Sequence, residues 1–219
     1  MHVLDIIGPV MVGPSSSHTA GAARIGYAAR KLLGEDVAEV EVLLYGSFLA
    51  TGRGHGTDRA IVAGLLGLRP DDGRIPHSLE LAAEKNMKVT FGEAQLKNAH
   101  PNSVLLKMLG VNGAQLEVLA ASVGGGVIEI REIDGLATVF SGEYPTLIVQ
   151  NEDQAGHVAV VTSMLSSQNV NIADMRLYRD SRGGRAVMVI ECDSEVPAYG
   201  LEWIKRQPGV LKVIYYSLL

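Results

Sequence analysis

The order of apolar segments between Thr146 and Tyr216 leaves this part of the chain few ways to fold. Thr146–Gln150 is apolar enough to be a strand, and Ala155–Gln168 lines up Val158, Val161 and Leu165 on one side of a helix. Asn171–Tyr178 reads as a strand, Gly183-Gly184 turns the chain, and Ala186–Glu191 is a further strand. Pro197 opens a helix carrying Ala198, Leu201 and Ile204, and Val210–Tyr216 closes the sheet. Strand, helix, strand, strand, helix, strand within about 70–75 residues is the split βαβ arrangement of a ferredoxin-like domain.

The residues before this unit follow another pattern. Ile25, Ala28, Ala29, Leu32 and Leu33 recur with helical spacing, so a helix is expected over Ala20–Leu33, stopped by Gly34. Val37–Phe48 alternates as a strand, and the glycine-rich stretch Thr51–Asp58 reads as a loop feeding a helix over Arg59–Leu66. A short helix over Leu79–Asn86 follows, then strands over Lys88–Phe91, Val104–Leu109, Ala114–Ser122 and Val127–Ile133. Gly124-Gly125-Gly126 is either a flexible loop or a place of close backbone approach. Val3–Val12 is a lead-in interrupted by Pro9. The whole is a mixed α/β (α+β) chain of two domains, 1–143 and 144–219, with the change of pattern at Ser141–Pro145.

Composition narrows the function. A net charge of -5 gives no footprint for nucleic acid, and no apolar run is long enough to span a membrane. The start of the chain, broken by Asp5 and Pro9, is not a signal peptide. Cys192 is the one cysteine, which excludes an internal disulfide and fits a reducing cytoplasm. One cysteine also cannot hold an iron–sulfur cluster or a thiolate zinc site.

Three stretches concentrate polar chemistry. Gly13-Pro14-Ser15-Ser16-Ser17-His18-Thr19-Ala20-Gly21 sets hydroxyls and an imidazole just before a helix, more than an N-cap requires. Hydroxyls beside the free N–H groups of a helix start suit a carboxylate or phosphate. Gly54-His55-Gly56-Thr57-Asp58 presents a histidine between glycines, and His100-Pro101-Asn102-Ser103 adds a third polar loop. A serine hydrolase is disfavoured, since no G-x-S-x-G elbow occurs and adjacent Ser17 and His18 do not by themselves give triad geometry. No P-loop is present, and nothing in their spacing fixes the three histidines as a zinc site. His2, His77 and His157 lack any such context.

These motifs together resemble the β chain of the bacterial iron–sulfur-dependent L-serine dehydratases. The likeness covers essentially the whole chain. Residues 144–219 resemble an ACT domain, on Asn151-Glu152-Asp153-Gln154-Ala155-Gly156 at the first strand-to-helix turn and Asn171-Ile172 at the second strand. Ala155 stands where that family usually has proline. Residues 1–143 also resemble the allosteric substrate-binding domain of some phosphoglycerate dehydrogenases. The resemblance implies deamination of L-serine to pyruvate and ammonia. It also implies a [4Fe–4S] cluster held by a separate α subunit, and self-association through the ACT domain. In such a site His55 would be the general base, with His18 and His100 in support. Ser15, Ser16, Ser17, Thr19, Gly54, Thr57, Asp58 and Asn102 would bind substrate, Asp58 pairing with the ammonium or with His55. Asn151, Asp153, Gly156 and Asn171 would bind an effector, and no residue of this chain would bind metal. The competing expectation is a non-catalytic, serine-binding sensor that regulates a partner enzyme.

Overall fold

The structure is a computed structural model and describes residues 11–218. Most of the lead-in expected at residues 3–12, and His2, lie outside the described residues. The chain divides into two compact units, Met1–Gly135 and Leu136–Leu219.

In the first unit, a π-helical turn over Ser16–Gly21 runs into α1 (Ala22–Leu33), which stops at left-handed Gly34. β1 (Val37–Leu44), α2 (Gly46–His55), α3 (Thr57–Leu65) and α4 (Ser78–Glu84) follow. β2 (Lys88–Glu93), β3 (Ser103–Gly110), β4 (Gln115–Gly124) and β5 (Val127–Ile133) complete the unit. The strands bond in the order β2-β1-β3-β4-β5, parallel between β1 and β2 and antiparallel elsewhere. Cross-strand register places Val40, Met108 and Leu116 in one row and Val42, Leu106 and Val118 in the next, all buried. The alternate row is charged: Lys88 pairs with Glu39 and Lys107 with Glu41 at 3.6 and 3.5 Å. Period-two burial of this kind gives the sheet one apolar face, and α1 and α3 supply further core.

Contact between α1 and α3 depends on two glycines. A Cβ on Gly26 would lie 2.1 Å from the Ile61 carbonyl oxygen, and one on Gly64 would lie 2.1 Å from that of Ala23. The helices therefore approach backbone to backbone.

Two expectations change. The stretch expected as strand to Phe48 and then loop is strand only to Leu44, after which α2 carries Ser47–His55 as helix. Three glycines lower the intrinsic helix propensity there by about 1 kcal/mol each. Tertiary contacts outweigh it: the Pro101 carbonyl accepts from Ser47 N and Phe48 N at the helix start, and Phe48 is wholly buried. The helix expected from Ala20 is likewise entered through the π-helical turn, where Ala20 N reaches back to the Ser15 carbonyl. The triple glycine is the β4–β5 turn, all three residues having positive φ.

In the second unit, β6 (Leu136–Phe140) precedes β7 (Thr146–Glu152), α5 (His157–Ser167), β8 (Ile172–Arg179), β9 (Arg185–Cys192), α6 (Ala198–Lys205) and β10 (Val210–Tyr216). The sheet order β10-β7-β9-β8, antiparallel throughout, is the ferredoxin-like order. Leu147, Val149, Val161, Leu165, Met188, Ile190 and Ile204 form its core. The second unit begins at Leu136, before the expected change of pattern, and β6 contacts β8 and β9. Arg176 donates to the Val139 carbonyl, and Glu191 accepts from Ser141 N and Oγ.

Candidate active site

The three polar stretches of the first unit converge. The π-helical turn presents His18, whose ring lies 5.2 Å from that of His55, centroid to centroid, and edge-on to Phe48 at 5.3 Å. His18 Nε2 is 3.1 Å from both Ser47 Oγ and Thr51 Oγ1. On its other side, Ser15 Oγ accepts from His18 N at 3.1 Å and lies 3.5 Å from Nδ1. Desolvation holds the His18 imidazole below the ordinary histidine pKa. The charge of His55 lowers it further, and a hydrogen bond with the Ser47 backbone opposes both.

Ser47, Thr51 and His55 are spaced four apart and therefore share one face of α2. That face meets the serine–histidine turn. The third stretch supports the arrangement from behind. His100 Nδ1 accepts from Asn102 N at 3.1 Å, Ser103 Oγ donates to the His100 carbonyl at 2.7 Å, and Pro101 caps α2. Gly46 permits this approach: its φ is 56°, and a Cβ would sit 2.6 Å from the Pro101 carbonyl oxygen.

The structure sorts the sequence candidates. His18, His55 and Ser15 gather around one locus, where His55 is exposed and Ser15 half-buried, and Ser16 and Ser17 are half-buried neighbours in the same turn. Thr19 is 3% exposed and donates to the His55 carbonyl at 3.3 Å, so it ties two stretches together and is not offered to a ligand. Thr57 is fully buried and starts α3, which removes it from the surface of the site. Asp58 accepts from Arg59 N at 2.9 Å, an N-terminal helix contact, and among the described residues it makes no bond to His55. Gly54 is an exposed residue of α2 with open space around it. Asn102 donates to the Ser122 carbonyl at 3.4 Å.

Ser47 and Thr51 were missed. The i, i+4, i+8 spacing to His55 was present in the sequence, but reading a strand and a loop there concealed it.

In the second unit the effector candidates are engaged by other residues of that unit. Asp153 accepts from Gly183 N at 2.9 Å and Arg179 at 3.4 Å, and Asn171 donates to Asp193 at 2.6 Å. Asn151 donates to the Glu152 carbonyl, while Gly156, with φ 104°, starts α5.

Among the described residues no group of His, Cys, Asp or Glu is placed to hold a metal ion. Cys192 is buried in the second unit's core, and desolvation pushes its thiol up to about 11. Among the described residues no side-chain set fits a cluster.

Fold and site thus define a two-unit α/β protein with a histidine–hydroxyl locus in the first unit and a ferredoxin-like second unit. Residues 3–84 match the family model for the serine dehydratase beta chain. The chain is 40% identical over 211 residues to a probable L-serine dehydratase beta chain of Bacillus subtilis, covering 96% of each. It is 40% identical over 190 residues to the L-serine dehydratase beta chain of Peptoniphilus asaccharolyticus, covering 86% of each. It belongs to the serine dehydratase beta-chain family. A more distant match, 26% identical over 202 residues, is the D-3-phosphoglycerate dehydrogenase of Methanocaldococcus jannaschii, covering 90% of this chain and 37% of that one.

Proposed function

We propose that this chain is the β subunit of an L-serine dehydratase and lends proton-transfer and substrate-binding groups to a site completed by an α subunit. The observation that carries the reading is the His18–His55 pair, 5.2 Å apart and ringed by the hydroxyls of Ser15, Ser47 and Thr51. Deamination of serine removes a weakly acidic Cα proton and a poor leaving group, hydroxide, and then yields pyruvate and ammonia. His55, exposed at the end of α2, meets the substrate and takes the Cα proton. His18, whose pKa desolvation lowers, stands next in line to it. Ser15, Ser16 and Ser17, beside a helix start, hold the substrate carboxylate. His100 and Asn102 keep the Pro101 loop against α2.

The family resemblance implies a [4Fe–4S] cluster, which supplies a Lewis acid for the leaving hydroxyl. Among the described residues this chain offers it no ligand set, and its ligands come from the α subunit in this reading. Residues 144–219 act as an ACT domain that pairs with a second copy. Reconstitution tests the reading. Neither chain alone releases pyruvate from serine and the two together do, with cluster absorbance confined to preparations that contain the partner. Cluster absorbance from the pure 219-residue chain would contradict it.

A further inference from the structure

The hydroxyl of Thr51 decides which nitrogen of His18 carries the hydrogen. Thr51 Oγ1 lies 2.9 Å from the carbonyl oxygen of Ser47, one turn back along α2. Two oxygens at that distance repel unless a proton lies between them, and a carbonyl has none to give. The single hydroxyl proton of Thr51 is therefore committed to Ser47 O, the usual back-bond of a helical threonine. What Thr51 turns toward His18 is a lone pair, 3.1 Å from Nε2. That contact is favourable only when Nε2 carries the hydrogen. Ser47 Oγ, also 3.1 Å from Nε2, shares the same donor.

We infer that Thr51 is a positioning residue that fixes neutral His18 as the Nε2–H tautomer, so that His18 accepts a proton at Nδ1, on the side of Ser15. The proton acceptor is then the nitrogen 3.5 Å from Ser15 Oγ, inside the serine-rich turn, and not the one facing α2. A neutral imidazole accepts a proton only at its unprotonated nitrogen, so the opposite tautomer would present no base there. The triad enzymes show how much the orientation and tautomer of a histidine can control. Ser47 alone cannot impose the tautomer, because its hydroxyl is able to donate or accept. Thr51, with its proton committed elsewhere, only accepts. This step rests on the proposed role of His18 in the reaction, but the position of the hydrogen does not depend on it.

The test uses the full chain with isotope-labelled histidine and reads the His18 tautomer by nitrogen-15 NMR. The wild-type chain should show hydrogen on Nε2. Thr51→Val, which keeps the side-chain shape, should lose that preference, and Thr51→Ser should restore it. In the complex with the α subunit, Thr51→Val should lower kcat about tenfold to a hundredfold, the usual cost of removing a partner that orients a functional imidazole. KM should stay within about twofold, and Thr51→Ser should recover the rate. Hydrogen on Nδ1 in the wild type, or a tautomer indifferent to Thr51→Val, overturns the assignment. A tautomer that follows Thr51 with turnover unchanged upholds the assignment and overturns the part given to His18 in catalysis.

Discussion

The serine–histidine turn of the first unit and the Asn151–Gly156 turn of the second both introduce a helix with polar residues, yet they use those residues in opposite ways. In the second unit most of the polar groups satisfy one another, Asn151 Oδ1 being buried without a hydrogen-bond partner. Asp153 clamps Gly183 N and Arg179, Asn171 takes Asp193, and the turn is a brace. In the first unit the polar groups come from separate parts of the chain. His18, Ser47, Thr51 and His55 meet with both rings adjacent, and the serines beside them are left half-buried. A structural turn spends its polar groups on hydrogen bonds within the protein, here to partners 22 to 30 residues away. A site leaves some of that capacity for a ligand.

The comparison predicts unequal losses. His18→Gln should lower kcat of the reconstituted complex about a hundredfold or more, the range of a general acid–base group, while thermal unfolding of the chain barely moves. Gly26→Ala sets a Cβ against the Ile61 carbonyl and forces α1 off α3. Unfolding in urea should show a loss of about 1–3 kcal/mol, with the site disturbed because the serine–histidine turn leads into α1. Asp153→Ala should cost about 1–2 kcal/mol in the same measurement and leave kcat at saturating serine unchanged. Loss of turnover in Asp153→Ala would break the distinction between brace and site.

Two smaller effects concern pH. His55 helps to depress the His18 pKa, so His55→Gln should raise it, and proton NMR titration of the His18 ring should show its midpoint at higher pH than in the wild type. Glu35 behaves as a brace. Burial pushes its carboxyl up, but hydrogen bonds from Ala114 N and from Asn112 outweigh this and leave it below the ordinary value. Its contribution is complete above the unfolded carboxylate pKa and is lost as pH falls through the lower folded one. Glu35→Gln should therefore flatten the decline of stability with acid below the ordinary Glu range, measured by thermal unfolding from neutral to acid pH.

Apart from β6, the second unit is legible strand by strand because most of its strands are apolar runs and most of its turns carry glycine or proline. In the first unit α1 and β2 to β5 were equally plain, for the same reason. Helix α2 was not. Gly52, Gly54 and Gly56 mark a loop by propensity, and the forces that make most of that stretch helical come from Pro101, forty-odd residues away, and from the burial of Phe48. The site followed the same division. His18 and His55 stood out by local density, whereas Ser47 and Thr51 gain meaning only once α2 is a helix. Thr19 and Thr57 read as substrate-binding because a sequence does not distinguish a hydroxyl that faces solvent from one that is buried, as both are.

Most directly at stake is whether the histidine pair performs chemistry or only senses serine. The deciding measurement is turnover and serine dependence of the α–β complex carrying His55→Ala. A fall in kcat of about a hundredfold to ten-thousandfold, with serine still bound, is the predicted result. Near-normal turnover with an altered response to serine would contradict it and make this chain a regulatory module.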